Sequence, residues 1–284
     1  MPAEPPVQSP STLAEAYQLL GSGDGWQPIA GGTDLMVQIT GELAPAPARV
    51  LDIWRLDELR GIELAENQLT IGALTTYTQI RQSAECRAQL PALMQAAATI
   101  GAAQIQNRGT LGGNIVNASP AGDTLPVLLA VDAEFVLGSA RGERSVAAAA
   151  FWPAYRRTAR APDELLLSVV IPLPAGRQVR FRKVGTRRAQ AISKVVMALA
   201  WREDGGVWRD VRLALGSVAA TPIRARDTEA VLEGAAPRQQ TADHAADSLA
   251  AEIHPIDDVR STADYRRAVA ARVLHRLLRD EGGW

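Results

Sequence analysis

The sequence predicts an α+β protein built from two or three packed lobes, and three observations carry that expectation. Over about the first 57 residues, helical spacing and short strand-like runs follow one another as a small βαβ-type unit. A polar turn at Asn67 then joins two apolar runs into a hairpin that opens a second lobe. After a linker at residues 172–176, with two prolines and a glycine, three alternating runs precede two helical stretches. A chain of 284 residues is long enough to bury a core in each lobe.

The elements follow in order. Residues 1–10 lack the basic start and apolar core of a secretory signal and read as a short disordered arm. Thr12 and Glu15 have capping-box spacing, and Leu13, Ala16, Tyr17 and Leu20 recur at helical intervals before Gly21 ends the helix. Residues 26–30 form a short strand running into Gly31-Gly32, a second helix starts at Leu35, and residues 50–53 form another strand. The hairpin is expected from residues 62–64 and 69–71, a short helix from Thr75 and Thr76, and a longer one from Pro91 to Ile100. Residues 109–123, crowded with Gly, Asn, Ser and Pro, predict a set of tight turns. Residues 125–131, 133–137 and 165–171, as helix or strand segments, close the lobe.

The last lobe is expected to hold a three-stranded antiparallel sheet from residues 180–184, 195–201 and 211–218, with a hairpin turn at Asp204-Gly205-Gly206. Helices follow at residues 225–232 and 264–278, the latter with a stripe of Val269, Val273 and Leu277. Residues 147–150 and 234–246 read as low-complexity loops or helix ends. The domain limits are therefore 1–174, with lobes at about 1–57 and 58–174, and 175–284.

Composition narrows the function. A net charge of -1 offers nothing to nucleic acid or an anionic membrane, and no apolar run approaches the roughly 20 residues that span a bilayer. Cys86 is the only cysteine, which excludes an internal disulfide, a cysteine-based zinc site and a self-contained iron–sulfur cluster. His244, His254 and His275 lie late in the chain, far from the glycine loops. No metal-ligating set and no catalytic acid, base or nucleophile stands out, so the chemistry falls to a bound cofactor.

Two Gly-Gly loops point to that cofactor. Ala30-Gly31-Gly32-Thr33-Asp34 lies between a strand and a helix, where glycines let a ligand approach the backbone and free N–H groups favour an anion. Thr33 offers a hydroxyl to a phosphate, and Asp34 either caps the helix or accepts from a ribose. Such a turn also serves as a plain connector. The second loop runs Thr110-Leu111-Gly112-Gly113-Asn114 and on to Ser119-Pro120-Ala121-Gly122-Asp123. Its adjacent glycines would let consecutive N–H groups form a nest for a diphosphate, with Thr110, Asn114 and Ser119 as neutral donors, and Asp123 would accept from ribose hydroxyls or the adenine amino group. Gly21-Ser22-Gly23-Asp24-Gly25 follows a helix and lacks the dinucleotide-fingerprint spacing, and no Walker motif is present. Two such loops favour a dinucleotide held between lobes.

These two loops, together with Phe181-Arg182-Lys183-Val184-Gly185-Thr186-Arg187-Arg188, resemble the FAD-binding subunit of the xanthine dehydrogenase and carbon-monoxide dehydrogenase group of molybdenum hydroxylases, in kind and order from about residue 8 to 281. The resemblance implies a two-lobed FAD domain of the vanillyl-alcohol-oxidase/MurB type followed by a smaller α+β domain. It implies that Pro28, Ile29, Ala30, Gly31, Gly32, Thr33, Asp34 and Leu35 wrap the FAD diphosphate, and that Thr110, Gly113 and Asn114 extend the diphosphate and ribityl contacts. Asp123 would bind the adenosine end, Leu166 would touch the isoalloxazine through its backbone, Lys183 would sit beside the flavin pyrimidine edge, and Ile100 stands where relatives place an aromatic over the ring. Arg187 and Arg188 are either a surface pair or part of an acceptor site.

The resemblance further implies a cytoplasmic oxidoreductase subunit taking electrons from the [2Fe-2S] clusters of a small iron–sulfur partner and passing them through FAD to NAD or another acceptor. A large partner would carry the molybdopterin-bound molybdenum, and exposed apolar residues are expected near the flavin edge as a docking surface. The rival readings are a stand-alone flavin oxidoreductase and a redox-inactive nucleotide-binding module. The Thr33-Asp34 ending resembles xanthine-dehydrogenase-like and aldehyde-oxidising members.

Overall fold

A computed structural model describes residues 5–43, 45–187 and 190–284. The first lobe holds β1 (Val7–Gln8), α1 (Leu13–Gly21), β2 (Trp26–Ile29), α2 (Leu35–Thr40) and β3 (Arg49–Asp52). All three strands are parallel in the order β1-β3-β2. The expected disordered arm is corrected here: Val7 and Gln8 pair with Val50 and Leu51, giving β3 a neighbour on each side. The start of α1 forms half of the expected capping box. Thr12 accepts from the Glu15 N–H at 3.2 Å, but the Glu15 carboxylate turns back to the Ser11 N–H and hydroxyl.

The second lobe opens on the hairpin of β4 (Ile62–Ala65) and β5 (Gln68–Gly72), as the polar turn at Asn67 predicts. Five short helices and a sixth follow: α3 (Tyr77–Gln82), α4 (Ala84–Gln89), α5 (Pro91–Ala98), α6 (Ala103–Arg108), α7 (Leu111–Asn117) and α8 (Leu125–Ala130). Thr76 caps α3 with a full box to Gln79. Strands β6 (Glu134–Ser139) and β7 (Gly142–Ala147), the short helix α9 (Ala148–Phe151) and β8 (Leu165–Pro172) complete the lobe. The sheet order is β4-β5-β8-β6-β7, antiparallel throughout. A bulge at Leu167, between the pairs Val136–Ser168 and Leu137–Leu166, bends β8 where it leaves β5.

Helix α7 lies inside the stretch expected to be tight turns. Thr110 supplies the reason: its hydroxyl caps the helix by accepting from the Gly113 N–H at 3.0 Å. Gly112 does a different job from its neighbour, because a β-carbon there would stand 2.7 Å from both the β-carbon and the carbonyl oxygen of Ala73. Composition suggested loops, whereas one cap and one close packing contact favour a helix.

The third lobe has β9 (Gln178–Val184), β10 (Val195–Asp204), β11 (Val207–Gly216) and β12 (Ile223–Arg224), then α10 (Arg226–Leu232), α11 (Gln239–Glu252) and α12 (Ala263–Gly282). The three expected strands are present, and β12 extends them into a four-stranded sheet in the order β12-β11-β10-β9. Gly205 and Gly206, both at positive φ, make the two-residue turn between Asp204 and Val207. Within residues 234–246, expected to be loops or helix ends, helix α11 begins at Gln239, because Ala242, Ala245 and Leu249 bury one face despite the bland composition.

Strand β10 is buried on both sides. Val196, Ala198 and Ala200 face the second lobe's core, and Val195, Met197, Leu199 and Trp201 face the three C-terminal helices. This continuous apolar run locks the third lobe onto α8 of the second, while β9 beside it packs on α5. Among the described residues no helix is long and apolar enough to cross a membrane. Gly112→Ala is expected to lower stability by about 1–3 kcal/mol in a urea titration through overpacking against Ala73. Gly113→Ala, which meets only the Thr110 hydroxyl at 2.9 Å, should cost less.

Candidate functional site

A cleft of about 870 Å3 runs where the three lobes meet. Pro28, Ile29, Ala30, Gly31, Gly32, Thr33, Asp34, Leu35, Ile100, Thr110, Gly113, Asn114, Asp123, Leu166 and Lys183 all line it. Residues separated by up to 155 positions are thus brought to one surface by the packing of β2, α5, α7, β8 and β9.

The β2–α2 loop reaches the cleft through a backbone-to-backbone approach. A β-carbon on Gly31 would stand 1.8 Å from the Arg108 carbonyl oxygen, and Gly32 adopts φ +75°, so glycine is required at both positions for different reasons. Among the described residues, none of the N–H groups of Gly31, Gly32, Thr33 and Asp34 meets a protein acceptor. Four adjacent amides left open on a cleft wall fit an anionic diphosphate.

The second loop corrects its expectation. The N–H groups of Leu111, Gly112, Gly113 and Asn114 donate to Thr75 O, Ala73 O, Thr110 Oγ1 and Thr110 O respectively. No nest remains there, because the same glycines that read as a nest are the first turn of a capped helix packed against Ala73. What this segment offers the cleft is the open face of Gly113 and the amide side chain of Asn114, whose Oδ1 accepts from Thr124 Oγ1 at 2.7 Å.

Asp34 does not cap α2. Its carboxylate accepts from Asn117 Nδ2 at 2.9 Å, and Asn117 Oδ1 accepts from Arg156 Nη1 at 3.0 Å. This chain of bonds ties the first-lobe loop to the C-terminal end of α7 and to the segment before β8.

At the other side of the cleft, Lys183 Nζ donates to Asp123 Oδ2 at 2.5 Å and to Thr99 O at 3.3 Å. Asp123 also accepts from the hydroxyls of Thr99 and Ser193. Burial pushes the Asp123 carboxyl up, against the pull of Lys183 and of the two hydroxyls. This pair corrects the expected layout, in which Asp123 and Lys183 marked opposite ends of an extended FAD. They mark one point, because β9 packs against α5 and brings Lys183 to the residues that follow α7. Ile100, next to Thr99, belongs to this end. Leu165 is packed in the first-lobe core with Leu51, Ile53 and Ala30, whereas Leu166, next along β8, packs in the second-lobe core.

Several cleft residues escaped the sequence reading: Tyr77, Tyr155, Arg156, Arg160, Ile192 and Arg260. Tyr155 and Ile192 are 59% and 53% exposed, which is the kind of apolar surface expected near a docking edge. The arginines of residues 155–160 look like a solvated run in sequence, and only the fold turns two of them into the cleft. Arg188 lies outside the described residues. Arg187 donates to Gln190 O through Nε and Nη2.

Lys194, which follows the stretch carrying Ile192, is anchored by α12. Arg266 donates to Lys194 O at 3.1 Å and Ser217 O at 2.8 Å, and also to Asp258 Oδ1 at 2.7 Å. Partial burial works against ionisation of Asp258, but the Arg260 N–H, the Arg260 side chain and Arg266 outweigh it and bring its pKa from 3.8 to about 2. A depressed carboxylate stabilises above its ordinary pKa and loses that effect as pH falls through the folded value. Asp258→Asn should therefore lower the melting temperature at neutral pH, with the difference from the native chain shrinking between 3.8 and about 2. A difference that stayed constant across that window would dismiss the ion pair as its source.

Comparisons with known proteins place the chain in a family. Residues 3–174 match the FAD binding domain in molybdopterin dehydrogenase, and residues 180–280 match the CO dehydrogenase flavoprotein C-terminal domain. The chain is 34% identical to the glyceraldehyde dehydrogenase medium chain of Sulfolobus acidocaldarius, covering 91% of each. It is 32% identical to the xanthine dehydrogenase FAD-binding subunit of Escherichia coli O157:H7, covering 96% of each. Among solved structures it is similar to carbon monoxide dehydrogenase from Hydrogenophaga pseudoflava lacking the Mo-pyranopterin moiety. That match has a TM-score of 0.92 at 33% identity and covers 97% of this chain and 96% of the other.

Proposed function

The chain belongs to the family of FAD-binding subunits of the molybdenum hydroxylases, and we propose that it relays electrons from an iron–sulfur partner through FAD to NAD or another acceptor. The observation that carries the reading is the set of open amides from Gly31 to Asp34 on a cleft that also holds a buried Lys183–Asp123 pair. Bound FAD supplies the one- and two-electron chemistry, which side chains alone cannot provide.

The chain's own residues bind, orient and exclude. The amides of Gly31, Gly32, Thr33 and Asp34 hold the diphosphate, with the Thr33 hydroxyl and the Asn114 amide beside them. Ile100 and Lys183 flank the ring, with Lys183 fixed in place by Asp123 and Thr99 O. Its ammonium favours a negative ring, while the Asp123 carboxylate moderates that effect. Asp123 is thereby assigned to the ring end.

Substrate oxidation belongs to a large molybdenum-bearing partner, and the small partner delivers electrons by way of its clusters. The exposed Tyr155 and Ile192 on the cleft supply apolar docking area for one of these chains. With NAD as acceptor, the proposed location is the cytoplasm.

Purified chain reconstituted with FAD should show a flavin spectrum that NADH bleaches, and should co-purify with an iron–sulfur and a molybdenum chain when co-expressed. Absence of flavin after reconstitution would sink the reading, whereas bleaching by other reductants alone would remove NAD only. Gly31→Ala should weaken FAD binding about tenfold or more, since an overpacking strain of about 1–3 kcal/mol falls on the loop that carries the open amides. Lys183→Met should lower the reduction potential of the bound flavin, measured by dye equilibration, because Asp123 would then face the ring uncompensated.

A further inference from the structure

Arg160 is a cation on the cleft wall that meets no carboxylate among the described residues. Its Nη1 donates to the carbonyls of Ala161 at 3.0 Å, Pro162 at 3.4 Å and Glu164 at 2.6 Å, all neutral groups. Its Nε is buried with no partner, and no acceptor among the described residues meets Nη2. The Glu164 carboxylate, four residues on, is held by Arg144 in a two-bond pair at 2.7 and 2.8 Å and by the Ala161 N–H at 2.7 Å. Burial pulls the Arg160 pKa down, with Glu164 opposing from a distance. A guanidinium held in place by three carbonyls, desolvated and in contact with no carboxylate among the described residues, is organised to meet acceptor atoms that the protein does not supply.

Its place along the cleft says which part of a dinucleotide it meets. The Lys183–Asp123 pair with Ile100 defines one end, and the open amides of the β2–α2 loop define the middle. Arg160 bonds the Glu164 carbonyl, next to Leu165, whose side chain packs in the first-lobe core with Ala30. Resting on the FAD reading above, we propose that Arg160 is a specificity residue for the adenosine monophosphate half of FAD, donating from Nη2 to its ring-nitrogen, ribose or phosphate acceptors. A mononucleotide flavin reaches the ring end and gains nothing from it.

The test uses the full chain stripped of flavin, with FAD, FMN and ADP as separate probes in fluorescence titration. Arg160→Leu should weaken FAD and ADP by the same factor, about tenfold. FMN affinity, the melting temperature of the flavin-free chain and the reduction potential of bound FAD should all remain unchanged. Arg160→Lys keeps the charge but loses the planar fork, and should fall between the native chain and Arg160→Leu. It carries the same comparison should Arg160→Leu fail to fold. An equal loss of FMN and FAD with a lower melting temperature would assign Arg160 to holding the 161–164 turn alone. Unchanged ADP affinity with a shifted potential would move it to the ring end. Either result overturns the proposal, whereas failure of the native chain to bind FAD at all would instead strike the reading on which it rests.

Discussion

At Gly31 the backbone of the first lobe lies against the backbone of the second so closely that a β-carbon would stand 1.8 Å from the Arg108 carbonyl oxygen. The rest of the cleft depends on this contact. It presses the β2–α2 loop onto the end of α6, leaves its amides facing the cavity, and brings Asp34 within 2.9 Å of Asn117. A side chain at this point would part the lobes, and the amides would face water as in any exposed turn.

The two Gly-Gly pairs look alike in sequence and do opposite work. Gly31-Gly32 leaves its N–H groups open, because the chain passes from a strand into a short helix with neither a cap nor a neighbouring acceptor. Gly112-Gly113 closes its own, because Thr110 caps the helix and Ala73 O and Thr75 O receive the N–H groups that remain. A glycine pair permits close approach, and what approaches is decided by the neighbouring elements. At Gly31 it is the Arg108 carbonyl, and at Gly112 it is Ala73.

The third lobe contributes to the cleft through a single well-determined joint. Strand β10, apolar on both faces, fixes the sheet between two cores, and β9 beside it presents Lys183 to Asp123. Desolvation makes such a pair costly unless its remaining hydrogen-bonding capacity is met. Thr99 and Ser193 meet it, so four segments converge on one carboxylate. That convergence is what joins the two ends expected for Asp123 and Lys183 into one.

Much of this was legible beforehand. Thr76 with Gln79, the turn at Asn67, Gly205-Gly206 and the alternation along β10 each act within a few residues, so the sequence by itself determined those elements and the three-lobed α+β plan. The family resemblance carried by the glycine loops and the Phe181–Lys183 strand likewise named the cofactor, and every residue expected at the site lies on one cleft. The amides that stayed free, the partner of Asp123 and the turn of Arg160 into the cavity were decided only by the tertiary structure. Each depends on an acceptor or a neighbour contributed from far along the chain, such as Ala73 for Gly112, Lys183 for Asp123 and Arg144 for Glu164. Spacing along a sequence carries no record of which distant group has already taken a hydrogen bond.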